Sequence, residues 1–264
     1  MKNIVSVGML LLPLCMTLED SSYEGYKALQ VGANLNKIRR VSMVPRADLE
    51  VLAVWIKGWV NATGLAPFGI CHGTRRGSEQ MWLTQALGWR NGSVIGTEIS
   101  HSATMFPFTV QHDFHDPRPE WSRRAAFIYS NALDHAYDPE KALHEWMRTL
   151  QPNGVILLEH AGARHNGVPG GADVFQSSLG GYLKLVANLK NAEIIDVLPC
   201  ATRPTCKHIV FRRAVRNLTT AVDVQVTKNF TAEAIRLGRL ALTYRRRRDL
   251  SRAARRNQSH LPKL

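Results

Sequence analysis

Residues 70–80 read Ile-Cys-His-Gly-Thr-Arg-Arg-Gly-Ser-Glu-Gln. The apolar run at residues 65–70 predicts a short buried strand before this stretch, and residues 81–88 predict a helix that ends on a glycine. A strand, a glycine-containing turn and a helix bring backbone N–H groups and a helix N-terminus together, which suits a nucleotide-type ligand. Glycines four residues apart also occur in ordinary strand-to-helix turns, so this stretch alone leaves a purely structural turn equally open.

Strands and helices alternate along the middle of the chain. After the turn, six further strands are predicted at residues 93–98, 108–113, 123–130, 155–160, 192–199 and 207–212. Three helices are predicted at residues 48–60, where Asp48 is the expected cap, 139–150 and 182–189. Near-continuous apolar strands separated by helices indicate a doubly wound α/β fold with a mostly parallel sheet. The last two strands are close enough in sequence to form an antiparallel pair at the sheet edge.

Three stretches between these elements predict irregular structure. Residues 18–45 are a polar lead-in that drapes over the domain, residues 151–154 predict a turn, and the glycine-rich residues 161–181 predict a mobile loop or lid. Trp55 and Trp59 fall on one face of the helix at 48–60, where packing is favoured over a ligand cage.

The positive charge of the chain is confined to its C-terminal quarter. The 264 residues have a net charge of +13. Residues 1–200 carry 18 basic and 18 acidic residues, whereas residues 201–264 carry 16 basic and 3 acidic residues. The arginine-rich segment 245–256 therefore predicts a solvated tail, with RNA or an acidic partner as the alternative.

The N-terminus and the cysteines bear on the compartment. Residues 4–16 are an apolar run behind Lys2 that resembles a signal-peptide core and is too short to cross a bilayer as a helix. A buried strand or docking helix is favoured, so a cytoplasmic location is expected while secretory or organellar targeting stays open. No CxxC pair or zinc spacing is present, so no metal site is expected. A reducing compartment is the simplest fit, although Cys200 and Cys206 could pair in an oxidising one.

Two acidic side chains follow successive predicted strands. Glu98 ends one strand 25 residues after Gly73, where an acid can accept hydrogen bonds from ribose hydroxyls. Asp113 ends the next strand and could bind an adenine amine, although residues 113–116 are also ordinary turn chemistry. Ligands of a doubly wound sheet bind at the carboxyl ends of its strands, so both acids are expected at one site.

Two later segments carry a family resemblance. Residues 127–139 read Phe-Ile-Tyr-Ser-Asn-Ala-Leu-Asp-His-Ala-Tyr-Asp-Pro, and residues 143–155 read Leu-His-Glu-Trp-Met-Arg-Thr-Leu-Gln-Pro-Asn-Gly-Val. The stretch 68–160 resembles the class I S-adenosylmethionine-dependent methyltransferases, with weaker continuation to residue 212. The resemblance implies a doubly wound, mostly parallel seven-stranded sheet with helices on both faces and an antiparallel strand at one edge. It also implies S-adenosylmethionine as the cofactor.

The resemblance further implies the residues of a cofactor site. These are Cys71, His72, Gly73, Thr74, Glu98, Asp113, Phe114 and Asn131. Gly73 would lie under the cofactor, Glu98 would bind the ribose, and Asn131 would lie near the transferred methyl group. The adenine would lie beside Asp113 and Phe114.

The glycine turn departs from the family's commonest first motif. Gly69 stands where that motif has an acid, Cys71 where it has its first glycine, and Arg75 where it has its last. The methionine amino group of the cofactor therefore lacks its usual partner. Glu79 or a backbone carbonyl could substitute.

Methyl transfer from a sulfonium is an in-line displacement, for which the enzyme supplies proximity, alignment and exclusion of water. A general base is needed only for an acceptor such as an unactivated hydroxyl. Its candidates are His135, Glu159 and His160, and each has a structural alternative, at a helix start or a strand end.

The predicted function is methyl transfer to a small-molecule or sugar-like acceptor. One alternative is an inactive methyltransferase-like binding protein that uses its basic tail, and another is a nicotinamide-dependent oxidoreductase. The predicted organisation is a lead-in at 1–45 that is signal-like or docks on the domain, a methyltransferase-like Rossmann domain at 46–213, and a basic extension at 214–264 that is partly helical or disordered. The oligomeric state is not indicated.

Overall fold

The computed structural model describes residues 22–39, 42–162 and 173–214. The signal-like run, residues 163–172 of the glycine-rich segment and residues 215–264 of the basic extension lie outside the described residues. Within the described ranges, no helix combines the length and the apolar character needed to cross a membrane.

Seven strands form one mixed sheet. They are β1 (Gly69–His72), β2 (Val94–Glu98), β3 (Thr109–Gln111), β4 (Ala125–Ser130), β5 (Leu150–His160), β6 (Ala192–Pro199) and β7 (Lys207–Arg213). Their order is β3-β2-β1-β4-β5-β7-β6, and β7 runs antiparallel to both of its neighbours while the other pairs are parallel. The predicted doubly wound, mostly parallel seven-stranded sheet is confirmed. The antiparallel strand β7 lies inside the sheet, and β6 forms the edge.

Among the described residues, five α-helices surround the sheet. They are α1 (Tyr23–Asn36), α2 (Arg46–Thr63), α3 (Ser78–Leu87), α4 (Pro139–Thr149) and α5 (Leu179–Asn188). Apolar residues of α2 and α3 pack with Cys71 on one face of the sheet, and those of α4 and α5 pack with Ile70 on the other. Consecutive strand residues point to opposite faces, so a strand covered on both sides is apolar throughout. Trp55 and Trp59 are buried and stack at 5.4 Å between ring centroids, which confirms a packing role.

The predicted position of β1 was wrong by several residues. The strand comprises Gly69–His72 because backbone pairing to β2 and β4 begins at Gly69 on both sides. Cys71 and His72 are therefore strand residues, and the turn begins at Gly73. Gly69 lies against the ring of Phe127, so that any Cβ at this position would overlap the ring. This packing explains why no acidic side chain stands at position 69.

The predicted irregular lead-in was wrong over residues 23–36, which form α1. Ser22 caps this helix by accepting a hydrogen bond from the Gly25 N–H at 3.0 Å. Its buried residues include only Tyr26 and the polar Gln30, so the sequence carries little of the apolar periodicity by which a helix is predicted.

Three smaller corrections concern element ends. Pro45 occupies the N-cap of α2, and Asp48 lies in its first turn with a buried side chain that bonds elsewhere. Residues 151–154 are part of β5, where the left-handed Asn153 and a shift in register replace the predicted turn. Helix α5 begins at Leu179, three residues before the predicted start, because the Ser178 side chain caps it.

Candidate functional site

A cavity of about 250 Å³ opens at the carboxyl ends of β1, β2, β4 and β5. The chain leaves β1 towards β2 on one side and returns to β4 on the other, so this is the point where the strand order reverses. Ligands of doubly wound sheets bind at such points. Of the eleven predicted site residues, eight line the cavity: Gly73, Thr74, Glu98, Asp113, Phe114, Asn131, His135 and Glu159.

The other three predicted residues direct their side chains into the protein. The Cys71 thiol packs in the apolar layer under α2 and α3, and burial raises its pKa well above the usual value. His72 stacks on Trp146 at 4.7 Å, and burial lowers its pKa well below the usual value. His160 places Nε2 3.1 Å from the Ser177 carbonyl oxygen. Cys71 and His72 could therefore reach a ligand only through their backbone atoms.

Glu98 ends β2 inside the cavity with 1% of its surface exposed. Its Oε1 accepts a hydrogen bond from the Ser100 N–H at 2.9 Å and another from the Asn34 side-chain amide at 2.8 Å. Ser100 belongs to the loop after β2, whereas Asn34 belongs to α1. The predicted ribose-binding acid is therefore in place, and a helix that the sequence did not predict is its partner.

Asp113 lies two residues beyond β3 and is held by four contacts. Its Oδ1 accepts hydrogen bonds from the His115 N–H and from His115 Nδ1, and its Oδ2 accepts one from the Tyr23 hydroxyl at 2.8 Å. Lys27 Nζ is 3.6 Å from the same Oδ2. Burial opposes ionisation of Asp113, but the hydrogen bonds from His115 and Tyr23 outweigh it and hold its pKa below the usual value. Asp113 is thus a charged acceptor beside Phe114.

The glycine turn approaches the end of β4 closely. Gly73 has a left-handed φ of +73°, and a Cβ built on it would overlap the Cβ of Ala132. Ala132 directly follows Asn131, which comes immediately after β4 and lines the cavity. Gly73 therefore meets both requirements that favour glycine here, a positive φ and a close approach.

His135 lines the cavity opposite the turn and is paired with an acid that the sequence did not single out. Its Nδ1 lies 3.0 Å from Asp173 Oδ1, and its backbone carbonyl accepts a hydrogen bond from the Tyr26 hydroxyl at 2.6 Å. Asp173 was missed because it lies within the glycine-rich segment 161–181, which has no periodicity or motif. An imidazole with a carboxylate on one ring nitrogen can take up a proton on the other.

Glu159 is the centre of a buried ionic network at the end of β5. Its Oε1 accepts a hydrogen bond from Arg203 Nη1 at 2.8 Å, and its Oε2 accepts one from the Tyr129 hydroxyl at 2.8 Å and lies 3.3 Å from His208 Nε2. Arg203 Nε also donates to Asp48 Oδ2 at 2.7 Å. Burial would raise the pKa of Glu159, but His208 and Arg203 outweigh it and lower that pKa to about 2. A carboxylate with so low a pKa is a weak base. Glu159 therefore fits a structural role at the end of β5 better than the role of general base.

Arg203 lies within a loop that a disulfide closes. Cys200 follows β6, Cys206 precedes β7, and their sulfur atoms are bonded. The pairing that the sequence left open is therefore present, and it holds the loop that supplies Arg203 to Glu159. Cys71 is free and buried.

Two groups of side chains place three metal-ligating atoms within 4.8 Å of one another among the described residues. Glu159, Cys200 and His208 form one group, but the sulfur of Cys200 is used by the disulfide. The other group is Asp134, His135 and Asp173, in which His135 Nδ1 lies 3.0 Å from Asp173 Oδ1 and His135 Nε2 lies 3.9 Å from Asp134 Oδ1.

Comparisons with known proteins return structural similarity of low extent. No family model matches the chain, and no curated protein matches it. The solved structure of the mitomycin 7-O-methyltransferase MmcR is 15% identical with a TM-score of 0.42, and the similarity covers 62% of this chain and 54% of that one. The CcbJ methyltransferase from Streptomyces caelestis is 15% identical with a TM-score of 0.46, covering 64% of this chain and 90% of that one.

A putative S-adenosylmethionine-dependent methyltransferase from Listeria monocytogenes is 10% identical, with a TM-score of 0.42, and the similarity covers 60% of this chain and 99% of that one. This chain thus spans about half the length of the mitomycin enzyme. Similarity at these identities and TM-scores does not establish a family. The residues that line the cavity therefore carry the functional proposal.

Proposed function

We propose that this chain is an S-adenosylmethionine-dependent methyltransferase that acts on a small-molecule or sugar-like acceptor. The observation that carries the proposal is the placement of Glu98. This buried acid ends β2 within a cavity at the reversal of strand order, and Gly73 faces it from the end of β1. The resemblance of residues 68–160 to class I methyltransferases assigns these two positions to the cofactor.

The donor set of the cavity fits an adenosine-containing sulfonium compound. The Glu98 carboxylate can accept hydrogen bonds from vicinal hydroxyls, and Asp113 with Phe114 offers a charged acceptor beside an aromatic ring. Because Gly73 has no Cβ, the turn packs directly against Ala132, and both residues line the cavity. When bound there, the cofactor supplies a methyl group on a positively charged sulfur.

His135 is the residue of this chain best placed to take a proton from an acceptor. Asp173 Oδ1 lies 3.0 Å from Nδ1 and stabilises the protonated ring. Nε2, which has Asp134 Oδ1 at 3.9 Å, is the nitrogen proposed to take the proton of an acceptor hydroxyl. Asp173 is thus a positioning residue and His135 the proposed base. His160 is engaged by Ser177 and Gly162, and Glu159 by its ionic network, so neither is as free to exchange a proton.

Helix α1 limits which acceptors can enter. Its residues Tyr26, Gln30 and Asn34 line the cavity from above the strand ends. A cavity roofed by a helix excludes water from the displacement, and it admits a small acceptor more readily than a large polymer.

The proposal is tested by methyl transfer from S-adenosylmethionine carrying a labelled methyl group. The full chain is incubated with separate pools of metabolites, RNA and protein, and label is expected in the metabolite pool. The Glu98→Ala variant is expected to lose transfer, and His135→Asn to lose it for hydroxyl acceptors. Absence of label from all three pools, or equal transfer by Glu98→Ala, would contradict the proposal.

A further inference from the structure

Glu79 is a buried carboxylate that forms no salt bridge among the described residues. It lies in the first turn of α3 with 4% of its surface exposed, and it lines the cavity beside the glycine turn. Its Oε1 accepts a hydrogen bond from the Ser42 hydroxyl at 2.6 Å. Its Oε2 is buried and has no hydrogen-bond partner among the described residues. A buried anion with a spare oxygen is costly unless a cation binds to it.

Two other acids of the cavity already accept hydrogen bonds from the protein. Glu98 accepts hydrogen bonds from Ser100 and Asn34, and Glu159 is saturated by its ionic network. Arg75 is the cation whose charge acts on Glu79, yet no ion pair joins the two side chains among the described residues. Burial raises the pKa of Glu79, because desolvation outweighs the hydrogen bond from Ser42 and the charge of Arg75.

Gly69, where the commonest family motif has an acid, is the first residue of β1 and does not line the cavity. Glu79 reaches the cavity from the helix that follows the same turn. It lies near Glu159 and Cys71, with which it interacts electrostatically, whereas Asp113 and Glu98 are contacted from α1.

We propose that Glu79 binds the ammonium group of the cofactor's methionine part. The inference rests on the proposed function, because it takes Glu98 to hold the nucleoside of the same molecule. A ligand held at its ribose by Glu98 can direct its charged amine to Glu79, whose buried Oε2 has no hydrogen-bond partner among the described residues. Ser42 is then a positioning residue that fixes the rotamer of Glu79.

Two ligands and two variants test this assignment by calorimetry. S-adenosylhomocysteine carries the ammonium group, whereas 5′-methylthioadenosine has the same nucleoside and lacks the amino-acid part. Glu79→Gln keeps the shape of the side chain and removes its charge. This variant is expected to weaken the binding of S-adenosylhomocysteine roughly 10- to 100-fold and to leave the binding of 5′-methylthioadenosine unchanged. The matched variant Glu98→Gln is expected to weaken the binding of both ligands.

The outcomes separate the inference from the proposed function. If the unaltered chain binds neither ligand, the proposed function fails and the inference fails with it. If it binds both but Glu79→Gln affects neither, or affects both equally, only the inference is overturned. Ser42→Ala is the second variant should Glu79→Gln not fold. It is expected to weaken the binding of S-adenosylhomocysteine alone, by about threefold. An equal effect on the binding of both ligands would overturn the inference.

Discussion

At the scale of single residues, the partners of each carboxylate decide what it can do. Glu159 is ionised and bonded on both oxygens, so its contribution is to stability. Glu159→Gln leaves Arg203 with Asp48 as its anionic partner and breaks a buried pair. We expect the variant to lose about 3 kcal/mol of unfolding free energy, measured by urea denaturation. Glu50→Gln, which removes an exposed pair with Arg46, is the control and is expected to change that free energy by less than about 1 kcal/mol.

The same network predicts a dependence on pH. The pKa of Glu159 falls from 4.5 to about 2 on folding, so the folded state favours the ionised form. The resulting stability is complete above pH 4.5 and is lost as the pH falls towards 2. The difference in unfolding free energy between the unaltered chain and Glu159→Gln should therefore shrink over that range. A constant difference would show that ionisation of Glu159 is not its source.

At the scale of elements, α1 is bound to the cavity through contacts that a ligand would have to replace. Asn34 donates its side-chain amide to Oε1 of Glu98, the carboxylate proposed to bind the ribose hydroxyls. Removing the amide in Asn34→Ala should therefore strengthen S-adenosylhomocysteine binding about fivefold, because one hydrogen bond no longer competes. Asn36→Ala, at an exposed position of the same helix, is the control for helix stability. Weaker binding by Asn34→Ala alone would show that Asn34 supports the ligand instead of competing with it.

The connection between β6 and β7 is the second element with a measurable contribution. The Cys200–Cys206 disulfide closes a short loop, and cross-links of that length stabilise by about 2 kcal/mol. The double variant Cys200→Ser, Cys206→Ser should lose about this much unfolding free energy. Reduction of the unaltered chain should produce the same loss. Peptide mapping by mass spectrometry checks the bond, and two free thiols in the oxidised protein would refute the pairing.

Elements with a strong repeating pattern were predictable, and those positioned by tertiary contacts were not. The observed bounds lie within two residues of the predicted ones for strands β2, β4 and β7 and for helix α4. These elements bury apolar side chains at regular spacing, and that spacing can be read from the sequence. Helix α1 was missed because its contacts with the domain include polar ones, from Tyr23 and Asn34 to acids distant in sequence. No local pattern encodes such a contact.

At the scale of the whole molecule, the order of strands places the site. Glu98, Asn131 and the turn at Gly73 are separated by up to 58 residues, yet the parallel neighbours β2, β1 and β4 end at the same edge. The rule that ligands bind at that edge made eight of the cavity residues predictable. Asp173 and Arg203 were not, because their positions depend on loops that contain no motif.

The central claim is that this edge binds S-adenosylmethionine through Glu98. The most direct measurement is a calorimetric titration of the full chain with S-adenosylmethionine and, separately, with NAD. The account predicts saturable binding of S-adenosylmethionine, none of NAD, and at least a roughly tenfold loss of affinity in Glu98→Ala. Binding of NAD alone, no binding of either compound, or S-adenosylmethionine binding that Glu98→Ala leaves unchanged would contradict it.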